Sequence, residues 1–261
     1  MKILRVAQIT DIHLLAENGS MLHGVDTAVT LGEVTCAIKK LSPVPDLIIV
    51  TGDLADDGSR ETYKRLRKIL SATNLPVYVL AGNHDDIGEM HESLVGGNIH
   101  FKSMLILNGW AFMFINSKVD GESFGLIDSH EQSQLENNLN SVDNLPVLLA
   151  LHHSPIEICT SADCQLKNAS DFTHLLERFP GIKGVIGGHT HAAVEKRNPG
   201  HIQYTSPSSF AQVLHDQPED LSADGGFWSS HRLKRASHGF RVLDLRPDGR
   251  ISSEVHWPGA D

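Results

Sequence analysis

The chain has 261 residues, 40% hydrophobic and 21% charged, enough for one α/β domain with a sizeable core and not so long as to call for a second. Its 32 acidic against 22 basic residues give a formal charge of −10, and no basic patch dominates, which argues against a nucleic-acid duplex as partner. No apolar run is long enough to span a bilayer, the N-terminus reads as a strand rather than a signal peptide, and three cysteines (Cys36, Cys159, Cys164) cannot all pair, so a cytoplasmic protein with buried free thiols is expected.

In chain order, residues 2–9 read as a strand running into Thr10-Asp11-Ile12-His13. A loop through Gly24 leads to an amphipathic helix from Asp26, with Leu31, Val34, Ile38 and Leu41 on one face and Pro43 and Pro45 as terminators. The apolar strand 46–50 ends in Thr51-Gly52-Asp53. A helix over 59–70 turns Tyr63, Leu66, Ile69 and Leu70 inward, its basic cluster forming a solvated face. The strand 76–81 stops at Gly82-Asn83-His84-Asp85. Antiparallel strands are expected over 99–107 and 111–116 around an Asn108-Gly109 turn, then a polar helix over 129–140. The strand 145–151 ends at His152-His153, and a helix over 170–179 takes Ser170 as its N-cap. The strand 181–186 ends in Gly187-Gly188-His189-Thr190-His191. β segments over 192–197, 201–206, 239–246 and 250–256 close a single domain spanning 1–261, with 214–238 as a long loop in which His231 to Arg235 is solvated.

Five apolar strands therefore end in Asp11-x-His13, Gly52-Asp53, Gly82-Asn83-His84-Asp85, His152 and Gly188-His189-x-His191. In extended backbone, residues two apart point the same way, so Asp11 with His13 and His189 with His191 can each aim two side chains into one cavity. Glycines before Asp53, Asn83 and His189 are expected to turn the chain sharply and bring it close to an ion. A set of carboxylates, imidazoles and one amide oxygen, with no thiolate, suits Mn or Fe first and Zn next, rather than an all-oxygen Mg or Ca cage. Seven candidate ligands exceed one ordinary site, and a bridging carboxylate divides them into the two four-ligand sets of a two-metal hydrolase. Each motif alone is a common turn. Five at strand ends in one chain make a site.

That ordered set resembles the calcineurin-like metallophosphoesterase superfamily, and within it the class III cyclic-nucleotide phosphodiesterases and their glycerophosphodiesterase relatives. Gly24-Val25-Asp26-Thr27, Gly52-Asp53-Leu54-Ala55-Asp56, Ser206-Pro207-Ser208-Ser209 and the stretch from Gly239-Phe240-Arg241 to Ile251 extend the likeness over nearly the whole chain. The resemblance implies a four-layer α/β/β/α sandwich of mixed sheets with its metal site at the C-terminal strand ends. It implies one divalent ion held by Asp11, His13, Asp53 and His191, and a second held by Asp53, Asn83, His152 and His189, with Asp53 bridging. The expected reaction is hydrolysis of a small-molecule phosphodiester, foremost a 3′,5′-cyclic nucleotide such as cyclic AMP, by attack of a metal-bridging hydroxide. A broad glycerophosphodiesterase or phosphomonoesterase is the alternative within enzymes.

Asn83 and His84 are the expected substrate-binding pair, with His84 on a phosphate oxygen or acting as general acid to the leaving alkoxide. Asp56 is the expected partner that orients His84, since the resemblance places an acid with that role there; Asp85 is nearer in sequence. His153 is expected to be structural or to stand at the rim, because His152 takes the inward direction of the strand end. Related protein phosphatases carry an Arg after the acid that follows Gly-Asp, where this chain has Asp57, and the lipid-sugar pyrophosphatase branch replaces the motif histidine that His84 retains. A non-catalytic binding module on the same fold would lack ligands that are all present here. A homodimer is left open.

Overall fold

The central strands are apolar on both faces, so each must be covered twice. The computed structural model describes residues 2–142, 144–158, 165–213, 233–234 and 237–259. The first half runs β1 (Leu4–Ile9), α1 (Thr27–Lys40), β2 (Leu47–Thr51), α2 (Arg60–Ser71), β3 (Val77–Leu80), the short α3 (Ile87–Glu89) entering a π-helical turn (Met90–Leu94), and β4 (Ile99–His100). Then come β5 (Met104–Leu107), β6 (Trp110–Phe114), α4 (Ser129–Ser141), β7 (Val147–His153), α5 (Ala169–Arg178), β8 (Ile182–Gly188), β9 (Val194–Asn198) and β10 (His201–Thr205). A short ribbon, β11 (Gln212–Val213) with β12 (Leu233–Lys234), precedes β13 (Phe240–Leu245) and β14 (Ile251–His256).

Two six-stranded mixed sheets result, in the orders β14-β13-β1-β2-β3-β4 and β5-β6-β7-β8-β10-β9. In the first, β1 to β4 are parallel and β13 returns antiparallel to β1; in the second, β6, β7, β8 and β10 are parallel between antiparallel edges. The period of two along each strand sorts its residues between layers. Leu4 and Val6, Leu47 and Ile49, and Tyr78 and Leu80 meet Phe112, Leu148 and Ile186 between the sheets. Their neighbours Ala7, Ile9, Ile48, Val50 and Val79 face Leu31, Val34, Tyr63 and Leu66 of α1 and α2. Met113, Leu149 and Val185 face Leu135, Leu139, Phe172 and Leu175 of α4 and α5. The chain is thus a four-layer α/β/β/α sandwich, and the parallel strands of both sheets deliver their C-terminal ends to one edge.

Several local expectations are corrected. The stretch 99–107 is two strands in different sheets, because 101–103 carries the chain from the first sheet across to the second. The Asn108-Gly109 turn has φ of 49° and 84°, both in the left-handed region a tight hairpin requires. Ser170 is not a cap: α5 begins one residue earlier and Asn168 takes the N-cap position, its side chain bonded instead to Ile127. Asp26 and Ser59 do cap α1 and α2 through their side-chain oxygens. Of the expected thiols, Cys36 is exposed rather than buried, while Cys159 and Cys164 lie outside the described residues. The loop expected over 214–238 also lies outside them, except that 233–234 pair as β12 and 237–238 precede β13. Among the described residues no helix is long and apolar enough to cross a membrane.

Candidate metal centre

The strand ends of both sheets gather Asp11, His13, Asp53, Asn83, His84, His152, His189 and His191 into one cluster. Asp11 and His13 follow β1, Asp53 follows β2, and Asn83 and His84 follow β3 of the first sheet; His152 is the last residue but one of β7, and His189 and His191 follow β8 of the second. The pairs two apart converge for a reason other than strand pleat. Asp11, His13, Asp53, His189 and His191 have φ of 51°, 46°, 51°, 69° and 48°, so each sits in the left-handed region. That conformation costs a non-glycine residue about 1–2 kcal/mol and persists only where surrounding bonds over-determine it. Here those bonds are visible, since Asp11 N, Ile12 N and His13 N donate to the carbonyls of Gly52 and Asp53.

The glycines act differently from the expectation as well. Gly52 turns the chain at φ 87°, and a Cβ there would lie 2.6 Å from His152 Cγ and 2.9 Å from Gly82 Cα. Gly188 has no positive φ; a Cβ on it would fall 2.7 Å from Asp11 Oδ2 and against Thr10, so the glycine makes room for those two side chains. Gly52→Ala is expected to push His152 out of place and cost at least about 2 kcal/mol of stability, from strain and displaced packing together. A thermal melt alongside a metal-binding isotherm checks this; an unchanged melt with unchanged metal affinity would contradict it.

Distances organise the cluster around one oxygen. Asp53 Oδ2 lies 3.5 Å from His13 Nε2 and 3.3 Å from His152 Nε2. On one side, His13 Nε2 is 3.3 Å from His191 Nε2, which is 3.4 Å from Asp11 Oδ1. On the other, His152 Nε2 is 3.1 Å from Asn83 Oδ1, and the His152 and His189 rings lie 5.0 Å apart. The outer nitrogens are already engaged: His13 Nδ1 donates to Asp56 Oδ1 at 3.0 Å, His152 Nδ1 to Thr51 O at 2.8 Å, and His191 Nδ1 to Ala211 O at 2.7 Å. This fixes Nδ1 as the protonated nitrogen of each ring and turns the three Nε2 atoms toward one centre, the arrangement that histidine ligands adopt. The donor set and its tautomers fit divalent cations.

Electrostatics agree with that fit. Burial alone would raise the Asp53 pKa, but His152 and His13 outweigh it and hold the carboxyl well below its usual value. Burial likewise opposes ionisation of Asp11, and His191 more than compensates. Burial would lower His152, yet Asp53, Asp11 and the Thr51 carbonyl lift it to about 9. Without a cation, a proton on His152 offsets part of the buried carboxylate charge, and a metal bound at its Nε2 would displace that proton.

His84 and its neighbours stand at the half-exposed mouth. The His84 N–H donates to Asp53 Oδ1 at 3.0 Å, and its Nδ1 donates to the backbone carbonyl of Asp56 at 3.1 Å, directing Nε2 away. The Asp56 carboxylate is 3.5 Å from His84 Nδ1 and closer to His13, so Asp56 meets His84 chiefly through its main chain. Asp85 faces elsewhere. Its carboxylate accepts from Leu54 N, Ala55 N, Gly82 N and Tyr63 Oη, tying the β2 and β3 loops together. His153 lies near His152 and His189, but Ser117 Oγ–H donates to its Nδ1 and its Nε2 donates to Ser123 O, so neither nitrogen is left for a cation.

Sequence reasoning passed over Thr10, Thr51, Tyr63, Gln8 and Ser208, which hold the candidate ligands or their loops from behind. For Gln8 a signal existed: it is a polar residue on the β1 face that Leu4 and Val6 turn into the apolar layer. Thr10 and Thr51 adjoin the motifs, but nothing local says what they bond.

Comparisons place the chain among known proteins. The calcineurin-like phosphoesterase profile matches residues 4–193. The chain is 29% identical over 255 residues to a 3′,5′-cyclic-nucleotide phosphodiesterase of Nostoc sp., covering 97% of this chain and 91% of the relative. It is 31% identical over 256 residues to the 3′,5′-cyclic adenosine monophosphate phosphodiesterase CpdA of Escherichia coli, covering 97% and 89%. A dimetal phosphatase from Danio rerio has the same fold with a TM-score of 0.67 at 14% identity, over 98% of this chain and 96% of that one.

Proposed function

The chain belongs to the calcineurin-like phosphoesterase family and is a metal-dependent phosphodiesterase, and from that premise we propose that it hydrolyses 3′,5′-cyclic AMP to the nucleoside monophosphate at a dinuclear centre. The observation that carries the dinuclear reading is Asp53 Oδ2, shared between His13 Nε2 on one side and His152 Nε2 on the other. Asp11, His13, Asp53 and His191 would hold one ion, and Asp53, Asn83, His152 and His189 the other, with Mn or Fe the preferred occupants and Zn next. Bound there, two dications supply Lewis-acid activation of water and charge neutralisation at the phosphoryl group.

The remaining work falls to this chain's own side chains. His84 presents Nε2 to the substrate, with its ring fixed by the Asp56 carbonyl and its backbone N–H anchored on Asp53. Protonated at both nitrogens, it binds a phosphoryl oxygen through Nε2–H or gives that proton to the departing ester oxygen as water's oxygen bonds phosphorus and the P–O ester bond breaks, and the proton released by the water restores it. Asn83 stands beside it, its amide oxygen toward His152. The buried left-handed loops exclude bulk water from one side, which strengthens each electrostatic contact inside. The cyclic-nucleotide assignment is supported by the names of relatives aligned over nearly the whole chain, and the cytoplasmic setting expected above goes with it.

The test is metal-free protein reconstituted with Mn, Fe or Zn and assayed on cyclic AMP, cyclic GMP, a glycerophosphodiester and an aryl phosphodiester. Cyclic AMP should lead in kcat/KM by about tenfold or more, the discrimination that a few pocket contacts supply. Equal rates on all four would replace the cyclic-nucleotide assignment with the broad phosphodiesterase reading.

A further inference from the structure

The segment Ser206-Pro207-Ser208-Ser209 follows β10 of the second sheet and lies against the end of β1 in the first. Its serines make different bonds. Ser206 Oγ–H donates to Gln8 Oε1 at 2.5 Å and accepts from Arg241 Nε at 3.2 Å. Ser209 donates its backbone N–H to Thr10 O at 3.0 Å. Ser208 is fully buried; its Oγ–H donates to Asp11 O at 2.8 Å and accepts the N–H groups of Phe210 at 2.9 Å and Ala211 at 3.2 Å.

Those bonds close a circuit. Ala211 O accepts His191 Nδ1 at 2.7 Å, and His191 Nε2 stands 3.4 Å from Asp11 Oδ1. One hydroxyl therefore ties two candidate ligands from different sheets at their backs, using its single donor and both lone pairs. It acts on Asp11 where the backbone is held at φ 51°, a conformation that needs fixed partners to persist. The other half of the centre is anchored elsewhere, His152 by Thr51 O and Asp53 by His84 N. It meets the circuit at the Asp11 carboxylate, through the His189 N–H, which donates to both oxygens at 3.0 Å, and through the Thr10 hydroxyl, which lies 2.7 Å from Asp11 Oδ2 and 3.0 Å from Thr51 O; neither contact involves Ser208.

We infer that Ser208 is a positioning residue that sets the Asp11–His191 spacing of the first metal position, and that the second position is largely independent of it. This rests on the dinuclear reading above. Removing the hydroxyl leaves a buried carbonyl and two buried N–H groups without their partner, so Asp11 and Ala211 relax apart and His191 loses its orientation.

The test compares Mn binding to metal-free wild type, Ser208→Ala, Ser208→Cys and Ser206→Ala by calorimetry and by electron paramagnetic resonance, with a thermal melt of each metal-free form. In Ser208→Ala binding at the Asp11–His191 position should weaken by roughly 10–100-fold and binding at the Asn83–His152 position by less than about threefold, the scale of lost outer hydrogen bonds to a ligand. The spin-coupled pair signal should give way to that of an isolated ion. Ser206→Ala breaks the same segment's bond to Gln8 and should keep two-site binding. Ser208→Cys retains a weak donor and should show a smaller, equally one-sided loss, which keeps the comparison available if the alanine variant does not fold. Parallel weakening at both positions, wild-type binding in Ser208→Ala, or an equal first-site loss in Ser206→Ala would overturn the inference. A wild type binding fewer than two ions would overturn the dinuclear reading instead.

Discussion

His84→Ala is expected to lower kcat by about 10²–10⁴-fold, the usual span for a lost proton-transfer group, while two metal equivalents stay bound. The substitution is clean because the His84 contact to Asp53 runs through the backbone N–H, which alanine keeps. Only the imidazole, with its Nδ1 on the Asp56 carbonyl, is removed. In the metal-free chain, burial would lower the His84 pKa, but Asp53 and Asp56 outweigh it and hold it above the usual value; a cation beside Asp53 acts in the opposite direction. The measurement is steady-state kinetics on cyclic AMP together with metal content after gel filtration. Near-normal turnover with both ions present would remove His84 from the chemistry.

The second large effect is expected at the shared oxygen. Asp53→Asn should abolish tight binding at both positions and lower activity by about 10³-fold or more, some 4 kcal/mol of transition-state stabilisation. Asp11→Asn should weaken chiefly the first position, because Asp11 Oδ1 stands 3.4 Å from His191 Nε2, whereas Asp53 Oδ2 is the oxygen between His13 and His152. Thermal melts report the same difference. An ion at a hundredfold excess over its Kd stabilises the folded chain by about 2.7 kcal/mol, and the Asp53 variant should lose that gain. Equal metal loss in Asp11→Asn and Asp53→Asn, or full retention in the latter, would contradict the bridging role.

Much of the fold was legible because its strands announce themselves locally. Continuous apolar runs such as 47–50 and 147–151 are short and stop within two residues of a glycine or histidine, and the period of two along a strand sorts their faces without reference to anything distant. Helix starts were legible where a side-chain oxygen caps them, as at Asp26 and Ser59, and misplaced at Ser170, where Asn168 is engaged by the Ile127 main chain from another segment. The split of 99–107 between two sheets was not legible, since an apolar run carries no mark of which sheet will pair with it.

Local hydrophobic pattern was enough to say which side chains could gather, because a strand's end and the residues beyond it follow from that pattern. It did not determine how they gather. The left-handed backbone of Asp11, His13, Asp53, His189 and His191 comes from bonds between neighbouring strand ends rather than from intrinsic preference. The place of Asp53 Oδ2 between His13 and His152, and the Ser208 hydroxyl behind Asp11 and His191, join residues from opposite sheets. Such contacts depend on how two sheets settle face to face over an apolar layer. That is a sum over the whole core, with no signature in any short stretch of chain.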